Sequence, residues 1–116
     1  RKIHGAKILQ LGITFKENCP DIRNSHAVDV VYGLREFGCN VDVFDPWAKP
    51  EDVKKYYGLD TVQDVALLPK NNYDAIVLAV SHREFLELNL DSYKNGNAIV
   101  YDIKGLLPKE LVDARL

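Results

Sequence analysis

Short apolar runs alternate along this chain with stretches of helical periodicity. Residues 7–11, 75–80 and 98–101 are rich in Val, Ile, Leu and Ala and lack sustained polar alternation, the pattern of strands buried on both faces of a parallel sheet. A weaker run at 41–44 predicts a fourth strand. Ala27, Val30, Val31, Leu34 and Phe37 recur at helical spacing, with Asn24 or Ser25 as the cap and Gly38 as the stop. Pro50 at an early position, Glu51 and Asp52 in the first turn, Lys54 and Lys55 later and Gly58 beyond the end predict a second helix. Thr61 is expected to cap a third running through 65–68, a short helical turn is expected at 83–86, and Pro108 is expected to open a last helix containing Leu111 and Val112.

Strands alternating with helices imply an α/β fold. Parallel neighbours need crossover connections, and these cover both faces of a doubly wound, mostly parallel, three-layered Rossmann-like sheet. Ligands in such sheets sit beyond the carboxyl ends of the strands, where the winding reverses. The segments that follow each strand are therefore where function is to be sought.

Composition narrows the classes. The 116 residues, 47% of them hydrophobic, suit one domain over residues 1–116. No apolar run approaches membrane-spanning length and no leader pattern opens the chain, so it is read as soluble and cytoplasmic, without a membrane partner. The net charge of -2 lacks the basic excess of a nucleic-acid binder. Cys19 and Cys39 have neither CxxC nor metal-ligand spacing, so they are expected to be thiols and no metal site is expected. A sequence that contains no Met and opens Arg-Lys is read as a piece of a longer protein.

After the first strand comes Gly12-Ile13-Thr14-Phe15-Lys16-Glu17-Asn18-Cys19-Pro20-Asp21-Ile22-Arg23-Asn24-Ser25, where a dinucleotide-binding unit would have a tight glycine turn. This is not GxGxxG, so the domain is not expected to hold a dinucleotide by itself. A loop this long suits binding through side chains, with Lys16 and Arg23 meeting phosphate oxygens and Phe15 flanking a base. Solvated charges and a core phenylalanine are the alternative. Ser81-His82-Arg83 and Asp102-Ile103-Lys104-Gly105 bring cations to two more strand ends, which points to an anionic ligand, although Glu17, Asp21, Asp45, Glu84 and Asp102 lie there too. His82 has no partner fixed by spacing and is read as structural, while His4 and His26 lack companions that would make them ligands. Asp45 stands where such folds keep a ribose-binding acid, but Pro46 after it suggests a turn, and Trp47 suggests packing. Cys19 has no histidine placed to activate it, so no catalytic residue is assigned.

The loop at 12–25 closely resembles the segment that opens the C-terminal domain in the UDP-glucose/GDP-mannose dehydrogenase family. Val43-Phe44-Asp45-Pro46, Ser81-His82-Arg83-Glu84-Phe85 and Tyr101-Asp102-Ile103-Lys104-Gly105 agree in order and spacing, so the resemblance covers nearly the whole chain. It implies an NAD-dependent enzyme that oxidises the C6 alcohol of a nucleotide sugar to a carboxylate, in three parts: an NAD-binding domain, a central dimerisation region and this UDP-sugar-binding domain. The intact enzyme would be a homodimer with its catalytic cysteine in an earlier domain, and the severed piece would be inactive. By position, Phe15 and Lys16 match substrate-nucleotide contacts, Lys104 lies where relatives place a base near the UDP phosphates, and Arg23 matches a residue reaching towards NAD. Lys104 followed by Gly105 departs from the two arginines of some UDP-glucose enzymes. With the wording of the 17–21 and 81–85 segments, this looks more like the branch acting on UDP-N-acetylglucosamine or UDP-N-acetylgalactosamine for polysaccharide biosynthesis. A UDP-glucose or GDP-mannose enzyme, or a non-catalytic nucleotide-binding module, is the alternative.

Overall fold

A computed structural model of the chain describes residues 5–105 and the backbone of 114–115. Among these residues one sheet holds β1 (Lys7–Leu11), β2 (Asn40–Phe44), β3 (Thr61–Val62), β4 (Tyr73–Leu78), β5 (Lys94–Asp102) and β6 (Ala114–Arg115). The strand order is β3-β2-β1-β4-β5-β6, with every neighbouring pair parallel. The winding runs outward from β1 to β3, then returns to β4 on the other side of β1. That reversal places a switch point between the carboxyl ends of β1 and β4.

Successive side chains of a strand point to opposite faces, so each strand feeds two apolar layers. On one face Ile8, Val41, Val43 and Val77 pack with Ala27, Val28 and Val31 of α1 (His26–Glu36) and Val53 of α2 (Pro50–Tyr57). On the other face Leu9, Leu11, Phe44, Ile76, Leu78 and Val100 pack with Leu68, Tyr73, Phe85, Leu90 and Tyr93. The doubly wound architecture holds, but the covers differ. The second layer is built around three short 3-10 turns, Val65–Leu67, Arg83–Glu87 and Leu90–Tyr93. Each supplies or adjoins a large side chain that reaches the sheet. Phe85 is the clearest, fully buried with its ring 5.9 Å from Phe44 and 5.3 Å from His82.

Both helices form where periodicity and caps predict them. Gly58 ends α2 in the left-handed conformation at φ 72°, its N–H donating to Lys54 O, and Gly38 turns the chain after α1 at φ 85°. Ser25 stands at the cap position of α1, but its hydroxyl donates to Ile13 O at 2.6 Å and leaves the first helical N–H groups without a side-chain cap.

The third expected helix is a correction. Thr61 and Val62 form a strand beside β2, and Asp64 caps only the 3-10 turn by accepting from Ala66 N. Two β-branched residues next to Gly58 and Leu59 favour pairing with the open edge of β2 over starting a helix. β4 also stops earlier than its apolar run suggests. The N–H groups of Ala79 and Val80 both turn to Leu11 O, at 2.9 and 3.3 Å, and leave the ladder. The expected helix after Pro108, with Leu111 and Val112, lies outside the described residues.

Candidate functional site at the sheet switch point

The site is built on a close approach between β1 and β4. Gly12 leaves β1 at φ 103°, and a Cβ there would lie 2.5 Å from Val80 Cβ and 2.8 Å from Val80 N. Only glycine lets the two strand ends meet so tightly. Beside Gly12, Gln10 is fully buried and donates from Nε2 to Gly12 O at 3.0 Å and Ala27 O at 2.9 Å, tying the strand to the start of α1.

The chain then makes its excursion over residues 13–25, and one carboxylate organises it. Asp45, fully buried just after β2, accepts from Ile13 N at 2.7 Å and Thr14 N at 3.1 Å through Oδ2, and from Trp47 N at 2.8 Å through Oδ1. The last bond is the turn expected from Pro46. The first two give Asp45 a second task that the sequence does not reveal.

His82, read from sequence as structural and without a partner fixed by spacing, has several partners in the fold. Its ring is fully buried, with Nε2 2.9 Å from Asp45 Oδ2 and 3.1 Å from Thr14 Oγ1, while Nδ1 accepts from Asn18 N at 2.9 Å. An acceptor at Nδ1 assigns the ring proton to Nε2, which donates to the carboxylate. Thr14 Oγ1 donates to Lys16 O at 3.0 Å, and Asn18, at φ 52°, accepts Arg83 N on its Oδ1 at 2.9 Å. Trp47 stacks over His82 with ring centroids 6.0 Å apart, as its packing role predicts, and donates from Nε1 to Glu84.

Phe15, Lys16 and Lys104 come together. They line one hollow of about 70 Å³ with Glu17, His26, Ala27, Ala79 and Val80. Lys104 is set by Asp102, buried at the end of β5, whose Oδ1 accepts the N–H groups of Lys104 at 3.0 Å and Gly105 at 2.7 Å. Phe15 is 47% exposed, which removes the core alternative for its ring. His26, discounted in the sequence for want of a companion, is the first residue of α1 and stands on the same rim. Its companions come from three separate strand ends, so no local spacing announces them. The amino end of α1 thus opens beside two lysines. Free helical N–H groups, the positive end of the helix dipole and ammonium groups all favour an anion.

Arg23 lies apart, in a wider hollow of about 570 Å³ lined by Pro20, Asp21, Ile22, Asp52, Lys55 and Tyr56. Its guanidinium grips Asp21 with Nε to Oδ1 at 3.0 Å and Nη2 to Oδ2 at 3.0 Å. These bonds and the backbone bond from Arg23 N hold the Asp21 carboxyl at about 2, well below the usual carboxylate range. The residues at the first crossover do not fit a dinucleotide. The glycine turn is absent, and Asp45, at the position of a ribose-binding acid, is turned inward onto backbone N–H groups.

Residues 9–109 match the UDP-glucose/GDP-mannose dehydrogenase family, UDP binding domain. The chain belongs to this family. It is 42% identical over 98% of its length to a UDP-N-acetyl-D-glucosamine 6-dehydrogenase of Salmonella typhi, and 44% identical over 100% to one of Pseudomonas aeruginosa. It spans 27% and 28% of those two proteins. Among solved structures, the NDP-N-acetyl-D-galactosaminuronic acid dehydrogenase of Methanosarcina mazei superposes over 96% of this chain and 23% of its own, with a TM-score of 0.81 at 23% identity. That likeness speaks for the fold. Among the described residues no helix is long and apolar enough to cross a membrane.

Proposed function

We propose that this chain is the C-terminal, UDP-gripping domain of a cytoplasmic, NAD-dependent UDP-N-acetylhexosamine 6-dehydrogenase that oxidises the sugar's C6 alcohol to a carboxylate for polysaccharide biosynthesis. The observation that carries this reading is the hollow at the switch point, where Phe15, Lys16 and Lys104 meet the amino end of α1. Two ammonium groups and the helix terminus suit a diphosphate, and the exposed face of Phe15 suits a uracil ring. The names of the Salmonella and Pseudomonas relatives supply the sugar class.

Ligand pockets usually measure roughly 300–1,000 Å³. A hollow of about 70 Å³ accommodates a phosphate group but not a whole nucleotide sugar. The remaining walls belong to the other parts of the intact enzyme, a dimer whose first domain holds NAD and whose central region reads the sugar. Arg23, on its separate hollow, is assigned the contact with NAD. The contribution of this domain is orientation, holding the substrate so that its C6 meets the nicotinamide. In the intact enzyme, Lys16→Ala and Lys104→Ala are each expected to raise KM for UDP-N-acetylglucosamine by roughly ten- to a hundredfold, the worth of one charge-assisted hydrogen bond. An unchanged KM in both variants removes the assignment.

A further inference from the structure

The Asp45–His82 pair is fully buried, and it meets the hollow's lining through the backbone bond from His82 N to Val80 O at 3.0 Å. Its side-chain bonds converge on the backbone around Lys16. Asp45 Oδ2 holds Ile13 N and Thr14 N, Thr14 Oγ1 donates to Lys16 O, and His82 Nδ1 holds Asn18 N. The loop is therefore gripped two residues before Lys16 and two residues after it. We infer that Asp45 and His82 are positioning residues for substrate, a buried brace whose task is to present Lys16 to the diphosphate. The inference rests on the reading of Lys16 as a phosphate contact.

Three physical points support it. First, the pair is fully buried, and a buried polar pair is a costly way to stabilise a core that apolar side chains would fill as well. Second, the brace is directional. With its proton on Nε2 the ring offers a donor to Asp45 and an acceptor to Asn18 N–H, and neither a phenyl ring nor a single donor can serve both ends. Third, the loop needs an external hold. Asn18 sits at φ 52°, where a non-glycine residue is strained, and Lys16 and its neighbours 15, 17 and 18 are all exposed. A site has to be held to within about 0.5 Å to serve a bound substrate, and side chains on an unsupported loop do not meet that requirement.

The test is a double-mutant cycle in the intact enzyme, read as KM for UDP-N-acetylglucosamine, KM for NAD and kcat. His82→Phe keeps an aromatic ring and removes the bonds to Asp45 and Asn18, and Thr14→Val removes the bond to Lys16 O together with the 3.1 Å contact to His82 Nε2 while leaving the ring's bonds to Asp45 and Asn18 in place. Each is expected to raise KM for the UDP-sugar about five- to tenfold, with kcat and KM for NAD nearly unaltered. His82→Gln, which retains one acceptor and one donor, is expected to recover part of the loss. Placed on a Lys16→Ala background, His82→Phe and Thr14→Val are expected to add little, because the group they position is gone. If Lys16→Ala alone leaves KM unchanged, the diphosphate reading of Lys16 fails and the brace fails with it. If Lys16→Ala acts but the brace variants do not, or act additively with it, the positioning role alone is overturned. Should His82→Phe not fold, Thr14→Val decides the matter by the same cycle.

Discussion

Replacing Gly12 by Ala tests the contact on which the switch point is built. The new methyl carbon would stand 2.5 Å from Val80 Cβ, 2.8 Å from Val80 N and 2.9 Å from Val80 Cγ2, all well inside the separation of about 3.5–4.0 Å at which carbon atoms rest. One of the three is backbone, and its N–H already bonds Leu11 O at 3.3 Å, so the clash is relieved only by parting the ends of β1 and β4. Overpacking of this kind costs about 1–3 kcal/mol. Holding a non-glycine residue at φ 103° adds about 1–3 kcal/mol more. The total, about 2–6 kcal/mol, is a large share of the 5–15 kcal/mol or so that holds a domain together. Urea denaturation of the chain, followed by circular dichroism, is expected to show a midpoint lower by about 1 M or more. Gly33→Ala is the control. It lies within α1 with open space where its Cβ would go, and is expected to raise stability by about 0.5–1 kcal/mol. A Gly12→Ala midpoint within about 0.3 M of the parent would show that the strand ends do not meet as described.

The Asp21–Arg23 clasp gives a pH signature. Because the folded carboxyl titrates at about 2, below its unfolded value of about 3.9, its contribution to stability is fully present above the unfolded value and is lost as pH falls towards the folded one. Carbon-detected NMR of the Asp21 carboxyl should therefore place its midpoint near 2, and a midpoint near the ordinary aspartate value would mean that the clasp is open in solution. In the intact enzyme, Arg23→Ala is expected to raise KM for NAD about tenfold and leave KM for the UDP-sugar nearly unchanged; normal NAD dependence would withdraw the cofactor role. Phe85→Ala, which empties a fully buried position between Phe44 and His82, is expected to destabilise the chain by about 3–5 kcal/mol. A loss below about 1 kcal/mol in thermal or urea denaturation would count against the second core layer.

The strands and helices that the sequence reveals are those with a local signal. β1 is found at its observed bounds because four of its five side chains are fully buried or nearly so, and α2 because Pro50, its charges and Gly58 punctuate both ends. β3 is too short for any period to register, and Thr61 offers a hydroxyl that serves a cap as readily as a strand. The Leu90–Tyr93 turn escapes for a related reason, since its two buried residues sit among polar neighbours. At the site, Phe15, Lys16 and Lys104 stand just after strands, where a sequence points to function, and the topology brings them to one hollow. The Asp45–His82 bond joins residues far apart along the chain, on two different strand ends, so neither motif names its partner. The small volume of the hollow is likewise invisible to a linear reading, because it depends on how closely the segments after β1, β4 and β5 approach the start of α1 in space.

A crystal structure of the intact enzyme with UDP bound tests the central claim most directly. It is expected to place diphosphate oxygens within about 3.2 Å of Lys16 Nζ and Lys104 Nζ, beside the first turn of α1 and with the uracil against Phe15. Diphosphate seated away from this rim, with both ammonium groups turned to solvent, would contradict it.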